Sequence, residues 1–326
     1  MKKLILLLAI LLLPLIFLYG IYRQPIPAYS GDRFVDIPRG SSTLRIGEIL
    51  AANGLLRSPL QVWLWRALHP RGRFQAGEYR FRQETTLDAI LSKIARGDIY
   101  YAQLTIPEGS SLFDIARILE QQQILPARDF IAAAQDPALI RDLAPEAPSL
   151  EGYLFPSTYR LPRKVSAAYL CQRFTRQFRE AWQSLHSARP PHAVVTLASL
   201  VEKESAVADE RPRIAGLFSN RLRLGMKLEC DPTVIYAALV ENRYRGAIYK
   251  SDLAHPSPYN TYQHAGLPPG PIANPGLESL RAALQPLSTG DIFFVAQPGN
   301  SGHHIFSRTL SDHNRAVAAY RRGQKR

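Results

Sequence analysis

The chain begins Met1-Lys2-Lys3 and then runs almost unbroken apolar from Leu4 to about Tyr22, roughly 19 residues. That is close to the ~20 residues a helix needs to cross a bilayer. A cleavable signal has a shorter apolar core, about 7–15 residues, followed by small residues at the cleavage site. Here the run closes as Phe17-Leu18-Tyr19-Gly20-Ile21-Tyr22-Arg23, so the expectation is an uncleaved, single-pass anchor over residues 1–23. Pro14 lies inside the run, and a membrane-spanning helix tolerates proline better than a soluble one. Lys2 and Lys3 keep the N-terminus on the cytoplasmic side by the positive-inside tendency. The remaining ~300 residues are then expected beyond the membrane, which for an inner-membrane protein is the periplasmic side.

Those residues exceed the usual size of one domain, so two are expected. Their core needs no disulfide framework. Cys171 and Cys230 are the only cysteines, and their wide spacing has no metal-ligand pattern; pairing and separate burial both fit. The formal charge of +13 invites a nucleic-acid reading. An exported chain seldom meets nucleic acid, and a basic domain near anionic headgroups or an acidic wall polymer explains the charge equally well. The basic end Arg321-Arg322-Gly323-Gln324-Lys325-Arg326 is read as a solvated tail.

The prolines and glycine of residues 24–31 suit a linker. A repeat follows. Val35-Asp36-Ile37-Pro38-Arg39-Gly40-Ser41-Ser42 has the pattern of Leu104-Thr105-Ile106-Pro107-Glu108-Gly109-Ser110-Ser111, and the match continues without a gap. Ile46, Ile49, Leu50, Leu55 and Leu56 fall opposite Ile115, Ile118, Leu119, Ile124 and Leu125. Each copy reads as strand, Pro-x-Gly turn, serine cap and amphipathic helix. The shape is similar to LysM-type modules, which bind cell-wall glycan. Between the copies Phe74–Phe81 alternates like a strand and Leu87–Ala95 reads as a helix. Helices dominate from about Ser166 to Leu224, Ile292–Ala296 is a buried-strand run, and Leu310–Arg321 closes the chain as a helix. Pro256–Pro275 is too rich in Pro, Gly, Asn and Tyr for a simple connection, and long structured loops of this kind often carry function. The fold class expected is α+β: an N-terminal transmembrane helix (1–23), a linker (24–31), a small LysM-like α/β module (32–102), and a mainly helical catalytic domain with a few strands (103–326) that includes the second repeat at about 103–126.

The segment His192–Ala208 is the most informative for chemistry. At about 100° per residue, Leu197, Leu200, Val201 and Ala208 lie within about 60° of Glu204, whereas Glu202 points nearly opposite and reads as solvated. A glutamate in mid apolar face either pairs with a buried cation, such as Arg221, or sits desolvated with a raised pKa, able to act as a general acid near neutral pH. There is no Gly-x-Ser-x-Gly elbow, His-Glu-x-x-His motif or phosphate-binding glycine loop. His303 and His304 are adjacent, so on a strand they point to opposite faces and make a poor metal pair. Asp231 before Pro232 suits a helix N-cap. Asn260 and Tyr262 have two roles open, hydrogen-bonding to sugar hydroxyls or bracing the loop.

Several motifs together resemble the endolytic murein transglycosylases (MltG/YceG-like). They are Leu197-Ala198-Ser199-Leu200-Val201-Glu202-Lys203-Glu204, Glu210-Arg211, Phe218-x-Asn220-Arg221-Leu222, Asp231-Pro232-Thr233-Val234-Ile235-Tyr236, Tyr259-Asn260-Thr261-Tyr262, Gly266-Leu267-Pro268-Pro269-Gly270-Pro271-Ile272 and His313-Asn314. Phe74–Phe81 and Glu151-Gly152-Tyr153-Leu154-Phe155-Pro156 extend the resemblance over nearly all the chain after the linker. Ser157 stands where an aspartate is expected, and Glu229 where a glutamine is common; a charged Glu229 lining the cleft would raise the pKa of Glu204 further.

The resemblance implies a lyase that cuts the bond between N-acetylmuramic acid and N-acetylglucosamine within peptidoglycan strands, without cofactor or metal. Its catalytic glutamate maps to Glu204, and Asn220, Glu229, Asp231, Tyr259, Asn260 and Tyr262 become the substrate-binding candidates. Implied partners are peptidoglycan strands and peptidoglycan polymerases, with no nucleic acid. Two rivals remain open from the residues: a hydrolase using Glu210, Glu229 or Asp231 as a second carboxylate, and a non-catalytic, membrane-tethered glycan-binding scaffold.

Overall fold

The computed structural model describes residues 13–82, 84, 86–205, 207–299 and 302–323. Part of the apolar N-terminal run, residues 4–12, lies outside the described residues; residues 13–22 are helical. Among the described residues no helix is long and apolar enough to cross a membrane. The architecture is α+β, with helices around three two-stranded sheets. The chain divides into two compact units, Met1–Ala102 with Arg160–Arg163, and Gln103–Tyr159 with Lys164–Arg326.

In the first unit β1 (Arg33–Ile37) pairs antiparallel with β2 (Gly77–Phe81), Val35 standing opposite Tyr79. Side chains alternate across a strand, so Val35, Ile37, Tyr79 and Phe81 share one face. Helices α1 (Thr43–Ala52), α2 (Leu60–Leu68) and α3 (Leu87–Arg96) bring Ile46, Leu50, Val62, Trp65, Ile90, Leu91 and Ile94 into the same core. Residues 24–31 contain no helix or strand, yet they are no free linker. Ile26 and Tyr29 pack on the core, and Pro25 O accepts from Arg57 Nε at 2.9 Å, because two apolar side chains bury surface that a solvated linker would expose.

The second unit begins within β3 (Ala102–Thr105), at Gln103, and continues with α4 (Leu112–Gln121) and α5 (Ala127–Ala134); β4 (Thr158–Leu161), of which Thr158 and Tyr159 belong to this unit, pairs with β3. The two copies of the repeat are alike to single hydrogen bonds. Ser41 Oγ donates to Pro38 O at 2.8 Å and Ser110 Oγ to Pro107 O at 2.7 Å. Ser42 caps α1 through Arg45 N, and Ser111 caps α4 through Asp114 N. Both helices stop at a left-handed residue, Gly54 (φ 66°) in one copy and Gln123 (φ 56°) in the other. Leu55 N and Ile124 N then each donate back at 2.9 Å, to Leu50 O and Leu119 O.

The long helices follow: α6 (Ala167–Ser184), α7 (Pro191–Glu204), α8 (Arg211–Arg223), α9 (Asp231–Val240), the short α10 (Lys250–Leu253) and α11 (Leu277–Leu284). α7 is buried through Val194–Val201 and packs against α8, α9 and α11. The antiparallel pair β5 (Phe293–Ala296) and β6 (His304–Ser307), with α12 (Leu310–Gly323) against both, completes the unit. Expected as a buried run, β5 is half-buried along its length, because a two-stranded ladder covers each strand on one side only.

Irregular segments of this unit are tied by one side chain. The Asn274 amide, fully buried, donates to Ser110 O at 2.9 Å and Glu151 Oε1 at 2.8 Å and accepts from Leu154 N at 2.8 Å. Leu112 N donates to the other Glu151 oxygen at 2.9 Å. Burial pushes the Glu151 carboxyl up to about 8, while the Leu112 N–H and the Tyr236 hydroxyl pull the other way. Asn274→Ala leaves Leu154 N and one Glu151 oxygen without this partner in the interior, whereas Ser110 O keeps the backbone N–H of residue 274, so a denaturant titration should show a loss of about 2 kcal/mol. An unchanged midpoint would remove this network from the account of the fold.

Candidate active site

Glu204 is the last residue of α7. Its side chain is half-buried, and the Cys230 thiol donates to its Oε1 at 2.9 Å. Burial raises the Glu204 pKa; the Cys230 hydrogen bond and the charges of His304 and Arg221 oppose the rise, and Asp231 adds to it. The helix C-terminus carries partial negative charge and disfavours a carboxylate in the same sense. The product is a carboxyl biased toward its protonated form, with one oxygen held.

Cys230 reaches it through a tight local fold. Glu229 adopts a left-handed φ of 50°, at a cost of about 1 kcal/mol for a non-glycine residue. Cys230 N then donates to Thr261 Oγ1 at 3.0 Å, and Glu229 N to Thr261 O at 3.2 Å. Cys230 occupies the N-cap position of α9 and Asp231 is its first residue, so Asp231 is not the cap. Its carboxylate is exposed and accepts from Tyr262 Oη at 2.7 Å. Two hydrogen-bonded pairs, Glu204–Cys230 and Asp231–Tyr262, thus meet at adjacent residues of the α9 start, joining the α7 terminus and the long loop to it.

The other candidates have different places. Asn260 is buried, donating to Asp252 O, Leu253 O and His255 O and accepting from Tyr262 N. All its polar capacity braces the loop, and through Tyr262 N it fixes the neighbour that meets Asp231. Asn220 donates to Thr289 O at 2.7 Å and Asp291 O at 3.0 Å. The Tyr259 ring stacks at a tilt on Tyr236, centroids 4.9 Å apart. Glu229 is exposed and lies 3.9 Å from Arg221 Nη1; the acid that raises the Glu204 pKa is Asp231. Both cysteines are buried and free.

Two expectations are corrected here and one open alternative is closed. Glu202 is not solvated: its side chain is only 5% exposed, 2.9 Å from Arg211 Nη2, and its other oxygen accepts from Gly276 N at 2.9 Å. A helical wheel counts the apolar neighbours of one helix and not the cation that α8 brings to the opposite side. Glu204 is not the partner of Arg221, whose guanidinium donates to Ile292 O and Leu228 O, both at 2.7 Å. Nor do His303 and His304 point apart. Both reach Glu210, with Nδ1 at 3.2 Å and 2.8 Å from its two oxygens, because His303 precedes the strand and is free of its alternation. These histidine contacts hold the Glu210 pKa below the ordinary carboxylate range against its burial. Sequence reasoning missed Cys230 as a partner of Glu204. The available signal was its place between Glu229 and Asp231, immediately before the motif that begins α9.

The YceG-like family profile matches residues 35–319. This chain belongs to the YceG-like family. It is 35% identical over 309 residues to the endolytic murein transglycosylase of Bacillus subtilis (strain 168), covering 88% of this chain and 84% of that protein. It is 29% identical over 319 residues to the endolytic murein transglycosylase of Streptococcus pneumoniae serotype 2, covering 88% of this chain and 58% of that one. A crystal structure of a yceG-like protein from Listeria monocytogenes superposes with a TM-score of 0.56 at 31% identity, over 88% of this chain and 99% of the other. Within this YceG-like chain the Glu202–Arg211 pair anchors the helix that ends in Glu204. Glu202→Ala should therefore cost about 2 kcal/mol, read as a lowered thermal midpoint, because Gly276 N loses its acceptor and the nearly buried guanidinium of Arg211 keeps only Glu108, 3.7 Å away. Wild-type melting would return Glu202 to the role of a solvated residue.

Proposed function

We propose that this chain is an endolytic murein transglycosylase with Glu204 as its single catalytic acid and base. The reading rests on one observation: a carboxyl at a helix end, its pKa raised by burial and one oxygen held by a thiol. Protonated Glu204 donates to the glycosidic oxygen as the bond from C1 breaks and an oxocarbenium-like state develops at the muramic acid. The resulting carboxylate then takes the proton from the C6 hydroxyl, whose oxygen bonds to C1 and closes the 1,6-anhydro ring. Water is not consumed. In this reading Asp231 and Tyr262 contact the sugar beside this carboxyl, and Asn220, Tyr259 and Asn260 support the surrounding backbone.

The apolar run from Leu4 to Tyr22 supports a single-pass inner-membrane tether, with the N-terminus cytoplasmic and the catalytic part periplasmic. The domain scheme proposed is anchor 1–23, connecting segment 24–31, LysM-like module 32–102 and catalytic domain 103–326. Cleavage of nascent strands near the membrane would end their elongation beside the peptidoglycan polymerases.

A hydrolase needs a second carboxylate about 5–10 Å away. Glu210 is committed to two histidines and Glu229 lies by Arg221, so Asp231 carries that alternative. Mass spectrometry of digested glycan strands separates the two: anhydro ends support the transglycosylase, and reducing ends sink it.

Glu204→Gln should lower cleavage by about 10²–10⁴ without loss of stability, since a neutral amide relieves a desolvated carboxyl. A group whose folded pKa is raised contributes stability that is lost as the pH rises through that pKa. Unfolding free energy should therefore fall less steeply with pH in Glu204→Gln than in the wild type. Because Cys230 lowers the Glu204 pKa, Cys230→Ala should move the alkaline limb of the pH–rate profile upward, whereas Cys230→Ser, which keeps a donor, should restore it. Coincident profiles for all three proteins would reject the thiol contact.

A further inference from the structure

Helix α2, Leu60-Gln61-Val62-Trp63-Leu64-Trp65-Arg66-Ala67-Leu68, has its polarity reversed. Gln61 is 0% exposed and every polar atom of its side chain is used: Oε1 accepts from Arg57 N and Ser58 N, and Nε2 donates to Gln24 O. Val62 and Trp65 fill the rest of the inner face. On a helical wheel Leu60, Trp63, Leu64 and Ala67 fall within about 100° on the outer side. Trp63 is 55% exposed and Leu60 44%, with Leu68 64% exposed on the flank. A helix apolar on both sides expects a second covering surface.

Two observations say what covers it. From Ile49 to Gly77 the chain carries Arg57, Arg66, Arg71 and Arg73 and no acidic residue, and all four arginines are exposed. The outer face of α2 is therefore an apolar strip with a cationic border, the composition that seats a helix at the headgroup boundary of an anionic bilayer. Secondly, the apolar N-terminal run leaves the core beside this helix: Tyr22 packs on the core of the unit, and Gln24 O is held by Gln61 of α2.

We propose that the outer face of α2 docks on the anionic lipid surface from which the chain emerges, Trp63, Leu60 and Leu68 entering the acyl boundary while Arg66 and Arg71 meet headgroup phosphates. This rests on the tether proposed above. Docking would hold the first unit flat on the membrane rather than letting it swing on its tether.

The test uses the full chain reconstituted into vesicles of phosphatidylglycerol with phosphatidylcholine, the acyl chains brominated, and into phosphatidylcholine alone. Flotation reports the tether, and quenching of tryptophan emission reports docking. The other tryptophans, Trp65 and Trp182, are buried, and Trp63→Phe isolates the Trp63 component. The expected result is a Trp63 emission that is blue-shifted in unbrominated anionic vesicles and quenched in brominated ones. In brominated phosphatidylcholine, and in the Leu60→Ser/Leu68→Ser and Arg66→Gln/Arg71→Gln variants on brominated anionic vesicles, the emission should stay unshifted and unquenched. A chain that floats with Trp63 unquenched in anionic vesicles overturns docking and leaves the tether standing. Trp63 emission that responds to added glycan strands but not to brominated lipid overturns it in favour of sugar stacking. A chain that does not float overturns both.

Discussion

The buried amide of Asn274 is the point from which the second unit is organised. It joins the turn before α4, the irregular segment 150–154 and the chain leading into α11, all through hydrogen bonds to groups that burial would otherwise leave unsatisfied. Gly109 N also donates to Asn274 O at 3.0 Å. Two residues on, Gly276 N binds Glu202, which in turn holds Arg211, and Lys203 Nζ donates to Gly109 O at 3.2 Å. Neighbours of Glu204 on both sides of the last helical turn are therefore fixed by loops. The Glu204 position is held by polar contacts that lie outside its own carboxyl.

In the proposed reaction this fixed position lets the chemistry rest on one carboxyl. Burial and the negative helix end favour the acid, which must give up a proton first, and the thiol of Cys230 favours the carboxylate, which must recover one. A strong cation in direct contact would have abolished the first role. Arg221 lies nearby but spends its guanidinium on backbone carbonyls, so its charge moderates the site without pairing with Glu204.

The duplicated strand-turn-helix shows how one local solution serves two surroundings. Both copies close the Pro-x-Gly-Ser turn with the same serine hydroxyl bond. In the first copy the glycine, Gly40, faces open space, whereas in the second Ser110 is buried and its carbonyl is taken by Asn274. The turn is the same; the second copy is recruited into the network behind the active site.

Local order was legible in the sequence, and so was the singling out of Glu204 as the proposed reacting group. The repeat, the helices from Ser166 to Leu224, the strand ending at Phe81 and the choice of Glu204 all follow from periodicity, caps and turn chemistry acting over a few residues. The resemblance to the murein transglycosylases rested on the same short motifs. Partners distant along the chain were not legible. Glu202 reads as solvated until α8 delivers Arg211, His303 and His304 read as divergent until Glu210 gathers them, and Asn260 reads as a sugar ligand or a brace until its amide is seen among three carbonyls. The reversed polarity of α2 is equally invisible without knowing that Gln24 lies against Gln61. A wheel or an alternation pattern records which side of its own element a residue occupies, whereas the electrostatics of a site depend on which other elements meet that side, and only the tertiary structure decides that.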